Sequence, residues 1–184
     1  MRHIDGRVAV DLRNILWCFN GLEITCDNGE KVRVAFALDC CDREAMGHVA
    51  TTGGITAEDV QDLMVATVER RYEQVNRVPE PIERLTDNDS CYTARDTRAF
   101  ARGIGLIPPK TPVSSPQSNG LVEAFVRTVK RDYVRVNPRP DAQSVIDQLL
   151  GRFAPYNEVH PHRASLYRST REIIVQTCEA LSGL

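Results

Sequence analysis

A chain of 184 residues can bury one ordinary core, and 42% hydrophobic with 26% charged residues fits a globular domain, not a disordered or fibrous one. No apolar run approaches the ~20 residues of a membrane helix, and the opening Met1-Arg2-His3-Ile4-Asp5-Gly6 carries no apolar leader, so a cytoplasmic protein with no membrane partner is expected. The net charge of −2 argues weakly against a polyanion partner, but residues 1–94 hold 10 Lys+Arg against 17 Asp+Glu while residues 95–184 hold 13 against 8, so a basic surface is expected in the second half.

Ile15 to Thr25 is rich in aromatic and β-branched residues and predicts a strand. Asp27-Asn28-Gly29 predicts a hairpin turn, because Asn and Gly tolerate positive φ. Val32, Val34, Phe36 and Leu38 continue as a second strand, and His48 to Thr52 follows as a third after a Cys40–Ala45 turn. Gly53-Gly54 breaks the chain. Thr56, with Asp59 three residues on, predicts a capped helix to about Arg71 with Val60, Leu63, Met64, Thr67 and Val68 on one face. A loop over Val78–Pro81 leads to a short strand, Ile82 to Thr86, with Asp87 just past its end.

Thr93 to about Arg102 predicts a second helix ended by Gly103 and Gly105, then a brief fifth strand at Leu106-Ile107. Four prolines make Pro108–Pro116 a loop. Ser118 is the expected N-cap of a helix striped with Leu121, Val122, Phe125, Val126, Val129 and Tyr133. Pro138 and Pro140 end it. Asp141 caps a helix to about His160, and a short last helix begins near Ser169. The order βββ-α-β-α-β-α-α predicts an α/β domain of ribonuclease-H-like fold: a mixed five-stranded sheet, antiparallel meander first, with helices on both faces. Residues 1–14 are expected as an N-terminal extension, 15–163 as the core and 164–184 as a tail with a short helix. The six cysteines contain no C-x-x-C pair, which predicts reduced, structural thiols and no zinc site.

The chemistry concentrates on Asp87 and Glu123, 35 residues apart. Asp87 follows a strand, where functional residues of α/β sheets gather. Glu123 begins a row with Arg127, Lys130 and Arg131 at i, i+4, i+7 and i+8. A carboxylate among three cations suits a metal ion and a phosphate backbone. Periodicity alone also reads this row as a solvated face of ion pairs, and Asp87 as a turn or cap residue.

Several segments together narrow the choice: Trp17-Cys18 with Gly21, Phe36-Ala37-Leu38-Asp39-Cys40-Cys41-Asp42-Arg43-Glu44, Leu85-Thr86-Asp87-Asn88, Ser115-Pro116-Gln117-Ser118-Asn119-Gly120, and Tyr156-Asn157 with His160-Pro161-His162. With them, nearly all of residues 7–175 resembles the catalytic core of bacterial insertion-sequence transposases of the two-reading-frame, copy-out/paste-in group, which are related to retroviral integrases. The resemblance implies a metal-dependent polynucleotidyl transferase with an Asp-Asp-Glu site, cutting and joining strands in DNA transposition. Asp87 would be its second acid and Glu123 its third. Two Mg²⁺ (or Mn²⁺) ions would be the cofactors, and transposon ends and target DNA the partners, with Asn119, Arg127, Lys130 and Arg131 toward nucleic acid. A homo-oligomer working in a bacterial cytoplasm is implied. Tyr156, Asn157, His160 and His162 match a family segment near the C-terminus, where packing or phosphate contact is expected in preference to a metal site.

The departures from the family pattern are specific. Its first acid lies three residues after the Trp, where this chain has Asn20, neutral and able to offer one amide oxygen. Rescue by Glu23, Asp27 or Asp39 is opposed by strand geometry. Asp89 stands where the family has Gly, which predicts a disturbed turn. Ala164 to Thr170 departs from the family's Ala-Leu-Gly-Tyr-x-Ser-Pro. The DNA-binding helices that precede the family's core are absent here, so a core fragment or a decayed copy is expected. Three functions are therefore carried forward: an active transferase core, a non-catalytic DNA-binding or multimerising relic, and a ribonuclease-H-type hydrolase, against which the Ser-Pro-x-Ser-Asn-Gly block argues.

Overall fold

Gly29 reverses the chain at φ 89°, with the Cys26 N–H donating to the Glu30 carbonyl at 2.8 Å, as the Asn-Gly pair dictates. The computed structural model describes residues 3–4, 7–8, 12–73, 76–109, 116–149, 151, 153–159 and 169–182; the side chains of 3–4, 7–8, 116–119, 153–154 and 177–182 lie outside that description. A small hairpin, β1 (His3–Ile4) with β2 (Arg7–Val8), precedes the main sheet. The meander is β3 (Leu16–Thr25), β4 (Lys31–Asp39) and β5 (Ala45–Thr51). Helix α1 (Ala57–Tyr72) leads to β6 (Ile82–Thr86), then α2 (Ser90–Thr93), α3 (Arg95–Gly103) and β7 (Leu106–Ile107). Helix α4 (Pro116–Thr128) widens into a π-turn over Val129–Val134, and α5 (Ala142–Leu149), α6 (Phe153–Val159) and α7 (Thr170–Ser182) complete the chain.

The sheet order is β5-β4-β3-β6-β7, antiparallel through the meander and parallel from β3 to β7. Strand alternation divides two cores. Cys18, Leu22 and Ile24 of β3 face one side with Phe36, Phe125, Val129, Val145 and Tyr156. Trp17 and Phe19 face the other with Met64, Val68, Tyr92, Ala101 and Leu106. Helices therefore cover both faces, as the element order predicts.

Local signals placed α1 correctly. The Thr56 hydroxyl accepts from the Asp59 N–H at 3.1 Å and the Asp59 carboxylate accepts from the Thr56 N–H at 2.8 Å. Its buried residues are Val60, Leu63, Met64, Thr67 and Val68.

Other boundaries move. The third strand begins at Ala45, not His48, because β4 pairs with it that far, Leu38 opposite Ala45 across a register shift. Asn157 on α6 satisfies the Ala45 backbone groups, its side-chain oxygen accepting from the Ala45 N–H at 2.8 Å and its nitrogen donating to the Ala45 carbonyl at 2.9 Å. The helix expected over Thr93–Arg102 divides at Ala94, whose ψ of 143° is extended. Helix α4 starts at Pro116, where proline's fixed φ suits a first turn, so Ser118 lies inside the helix instead of capping it. The helix expected from Asp141 to His160 is two, α5 and α6, with Gly151 between them. The Asp141 cap holds, its carboxylate accepting from the Ser144 N–H at 2.7 Å. Ser169 caps α7 reciprocally with Glu172.

Asn157 is buried and both of its amide atoms are used, so Asn157→Ala leaves two backbone groups of β5 without partners. We expect a loss of about 2–3 kcal/mol in urea unfolding. A loss below ~0.5 kcal/mol would show that solvent replaces the amide.

At the N-terminal end of β3 a buried charge network joins distant segments. The Asp39 carboxylate accepts from the Asn14 N–H at 2.9 Å, the Cys41 N–H at 2.9 Å and the Trp17 Nε1–H at 3.3 Å. Asp42 pairs with Arg13, and Glu44 pairs with Arg13 and Arg71. Burial, with Asp39 alongside, pushes the Asp42 carboxyl up to about 6 despite Arg13. The folded chain thus keeps this proton where the unfolded chain, at 3.8, has lost it, and stability falls as pH rises between the two values. Asp42→Asn should shrink the change in urea midpoint between about pH 4.5 and about pH 6.5. An equal change in both proteins would refute the assignment.

Candidate functional site

The parallel ladder between β3 and β6 ends with Phe19 opposite Thr86. The next residues along the chain are Asn20 and Asp87, each one step past the last pair of two neighbouring strands ~5 Å apart. The Asn20 amide oxygen accepts from the Gly21 N–H at 2.7 Å, and the Asp87 carboxylate accepts from the Asn88 N–H at 2.7 Å. Both residues are half-buried. Cys18, two residues before Asn20 on the same face, has its thiol pushed up to about 12 by burial and by Asp87. It stays protonated at neutral pH. Cys18, Cys26, Cys40, Cys41 and Cys91 are free thiols; the Cys178 side chain lies outside the described residues.

Helix α4 crosses this face of the sheet. Phe125 is buried against Phe36, their ring centroids 4.6 Å apart, and Phe36 is the antiparallel partner of Asn20. Phe125 therefore seats α4 at the level of Asn20. Glu123, two residues earlier, lies about 200° round the helix from Phe125 and is exposed. Among the described residues, no three His, Cys, Asp or Glu side chains gather as a metal-holding group. Asn20 and Asp87 thus each follow the last pair of one ladder, and Glu123 lies on the outer side of α4.

The row beyond Glu123 differs from an unbroken α-helix. From Val129 the backbone takes i→i+5 bonds, the Arg135 N–H donating to the Lys130 carbonyl at 2.9 Å. That spacing puts Val129 and Val134 on one side, where both are buried; an α-helix would separate them by about 140°. Arg127 is exposed. Arg131 is tied to Asp132 through its Nη2, at 2.7 Å. Lys130 is half-buried and near Glu23, whose carboxyl is held low chiefly by a hydrogen bond from Lys31, with Arg33 and Lys130 adding to it. Asn119 lies in the early turns of α4, its side chain outside the described residues, as are His160 and His162.

The alternative acids are engaged elsewhere. Glu23 pairs with Lys31 at 2.7 Å, Asp27 with Arg139 at 3.2 Å, and Asp39 belongs to the buried network. The turn at Asp89 is not disturbed: its φ is −61°, an ordinary value for any residue, and its carbonyl accepts from the Tyr92 and Thr93 N–H groups. The expectation that Asp there strains the turn is therefore corrected.

One residue at this end was not legible in the sequence. Tyr92 is buried, its hydroxyl has no hydrogen-bond partner, and burial drives its ionisation well above the usual tyrosine range, with Cys91 and Asp87 adding to the shift. It borders a cleft of about 260 Å³ shared by Gly21, Glu23, Arg33, Asp87 and Asp89. Only its place four residues after Asn88, on a one-turn helix, hinted at this. A larger hollow of about 520 Å³ beside Glu158, Arg171 and Glu172 holds none of the candidate residues.

Residues 11–112 and 107–169 each match an integrase core domain family. The chain is 54% identical over 179 residues to the InsD protein of insertion element IS2E of Escherichia coli (strain K12), covering 96% of this chain and 81% of that protein. It is equally identical to the transposase InsD for insertion element IS2D of the same strain, of which it spans 59%. In fold it is similar to the catalytic core domain of BIV integrase, with a TM-score of 0.61 at 16% identity over 92% of this chain and 99% of that one. The catalytic domain of Mos1 mariner transposase gives 0.56 at 15% identity over 77% and 70%.

Proposed function

The chain belongs to the integrase core domain family that includes the InsD transposases, and from that premise we propose that it is the DNA strand cutting-and-joining core of an insertion-sequence transposase. The observation that supports this reading is the register of β3 against β6, whose last pair, Phe19 with Thr86, leaves Asn20 and Asp87 as the next position on each strand. By resemblance these positions match the family's first and second acids, and α4 lies across this face of the sheet through Phe125.

Asp87 supplies a carboxylate and Asn20 an amide oxygen. Both are hard donors, so the pair fits Mg²⁺ or Mn²⁺ in kind, one negative charge short of two carboxylates. When bound, such ions activate the attacking water or hydroxyl and stabilise the leaving oxygen of a phosphodiester. Glu123 would add the third oxygen donor after α4 turns or shifts, because its present side of the helix faces solvent. Arg127, Lys130 and Arg131 continue from it and would hold phosphates, Arg131 after exchanging Asp132 for a backbone oxygen. The partners are then transposon ends and target DNA, engaged by a multimer.

Asn20 itself favours a second reading: a core that keeps fold and DNA surface but lacks chemistry. The two are separated by incubating the protein with Mn²⁺ and a transposon-end duplex beside an Asn20→Asp variant. Nicking or joining by the unmodified protein, lost when Asp87→Asn is added, supports the transferase; activity in the Asn20→Asp variant alone supports the relic. End binding without turnover in both proteins supports the relic. Neither binding nor turnover rejects both.

A further inference from the structure

Helix α3 carries Arg95, Arg98 and Arg102 at i, i+3 and i+7, all exposed, while its opposite side buries Thr97 and Ala101. The row is about 10 Å long along the helix axis. Beneath it lies Arg84 of β6, the neighbour of Trp17 in the ladder. Arg84 is 7% exposed, yet its Nη1 has no hydrogen-bond partner. Among the described residues, no carboxylate pairs with Arg84, Arg95, Arg98 or Arg102. Burial, and the neighbouring charges of Arg102 and Arg98, all disfavour the charged form of Arg84.

An unpaired guanidinium held out of water is costly, and two cations beside it raise that cost. The folding of β6 and α3 does not require it, since an apolar side chain at position 84 would pack beside Trp17. A bound anion removes the penalty. A single small anion cannot reach all four arginines along such a row, whereas a duplex backbone offers a charge every ~1.7 Å. Guanidinium forks match phosphate oxygens in geometry. The row also starts beside the Asp87 end: α2 and α3 follow directly from it, and α3 runs back toward β7 at the sheet edge.

We propose that Arg95, Arg98 and Arg102, with the buried charge of Arg84 behind them, form a second phosphate-gripping ridge that holds duplex DNA along the β6–β7 edge, away from the Glu123 helix. This rests on the DNA-processing reading above but needs no turnover to test. The measurement is fluorescence anisotropy of the full chain with a labelled duplex of about 30 base pairs across a salt series. Arg98→Gln/Arg102→Gln should lower the slope of log K against log salt by about 2 and weaken low-salt binding about tenfold or more. Arg171→Gln, an exposed charge change on α7, should leave the slope unaltered.

Arg84→Gln gives an independent readout. Removing a buried unpaired charge should raise the DNA-free melting midpoint by about 3 °C while weakening DNA binding; a purely structural arginine would lower that midpoint. An unmoved slope in the double variant, or a loss no larger than that of Arg171→Gln, overturns the ridge and leaves the transferase reading intact. Equal competition by polyglutamate or by millimolar inorganic phosphate also overturns it, in favour of an acidic peptide or a small anion. A reduced slope alongside an inactive Asn20→Asp protein supports the ridge and counts only against the transferase.

Discussion

Asn20→Asp is expected to raise strand nicking on a transposon-end duplex by about 10²–10³-fold. The estimate follows from charge. Position 20 is the next step after the Phe19–Thr86 pair, as Asp87 is on the neighbouring strand. A carboxylate there doubles the local negative charge, and a bridging carboxylate contributes several kcal/mol to stabilising charge built up in the transition state, at about 1.4 kcal/mol per factor of ten. Asn20 supplies one neutral oxygen, and its lone pairs are shared with the Gly21 N–H at 2.7 Å.

The same substitution has a thermodynamic signature that is independent of turnover. Without divalent ions, two adjacent carboxylates repel, and the variant should melt lower than the unmodified protein. With Mn²⁺ added, the order should reverse, because binding to the folded state alone raises stability as ligand exceeds its Kd. An Mn²⁺-induced rise no larger in the variant than in the unmodified chain would remove Asn20 and Asp87 from the metal-site assignment.

Phe125→Ala is the second large effect, an expected loss of about 3–5 kcal/mol in urea unfolding. Phe125 is 2% exposed and sits between Phe36, at 4.6 Å, and Tyr156, at 4.9 Å edge-on. Deleting the ring opens a cavity under α4 and strips two aromatic contacts at once. The functional consequence is positional: α4 carries Glu123 and Arg127, and Phe125 is what seats that helix opposite Asn20. In an active background such as Asn20→Asp, nicking should therefore fall even at temperatures where the protein remains folded. Phe125→Leu keeps most of the volume and should cost far less. A Phe125→Ala loss below ~1 kcal/mol would show that α4 is held by its other apolar residues, not by this ring.

Local chemistry was readable from residues in a row. The Thr56–Asp59 capping box, the Asn28-Gly29 turn, the alternation in β3 and β4 and the helical spacing of Val60, Leu63, Met64, Thr67 and Val68 each act within a few residues. The order of elements then restricts how a sheet and its helices can pack, so the mixed five-stranded fold was legible before any coordinate. Where the sequence misled, a distant group intervened. Pairing with Leu38 extends β5 to Ala45, whose backbone is satisfied by Asn157, 112 positions away. The buried pair Val129 and Val134 widens α4 into a π-turn. Ala94 and Gly151 divide what periodicity joined.

The candidate site follows the same division. The residue types, Asp87 and Glu123 with Asn20 in place of an acid, are sequence properties, as is membership of the integrase core family. That Asn20 and Asp87 each follow the last pair of one ladder, and that Glu123 looks away from the sheet, depends on strand register and on which side of α4 Phe125 buries. Tyr92 with its orphan hydroxyl and Arg84 with its unpaired guanidinium were unremarkable as letters. Their burial is set by neighbours that only folding brings near, and burial is what makes an unsatisfied polar group costly enough to carry meaning.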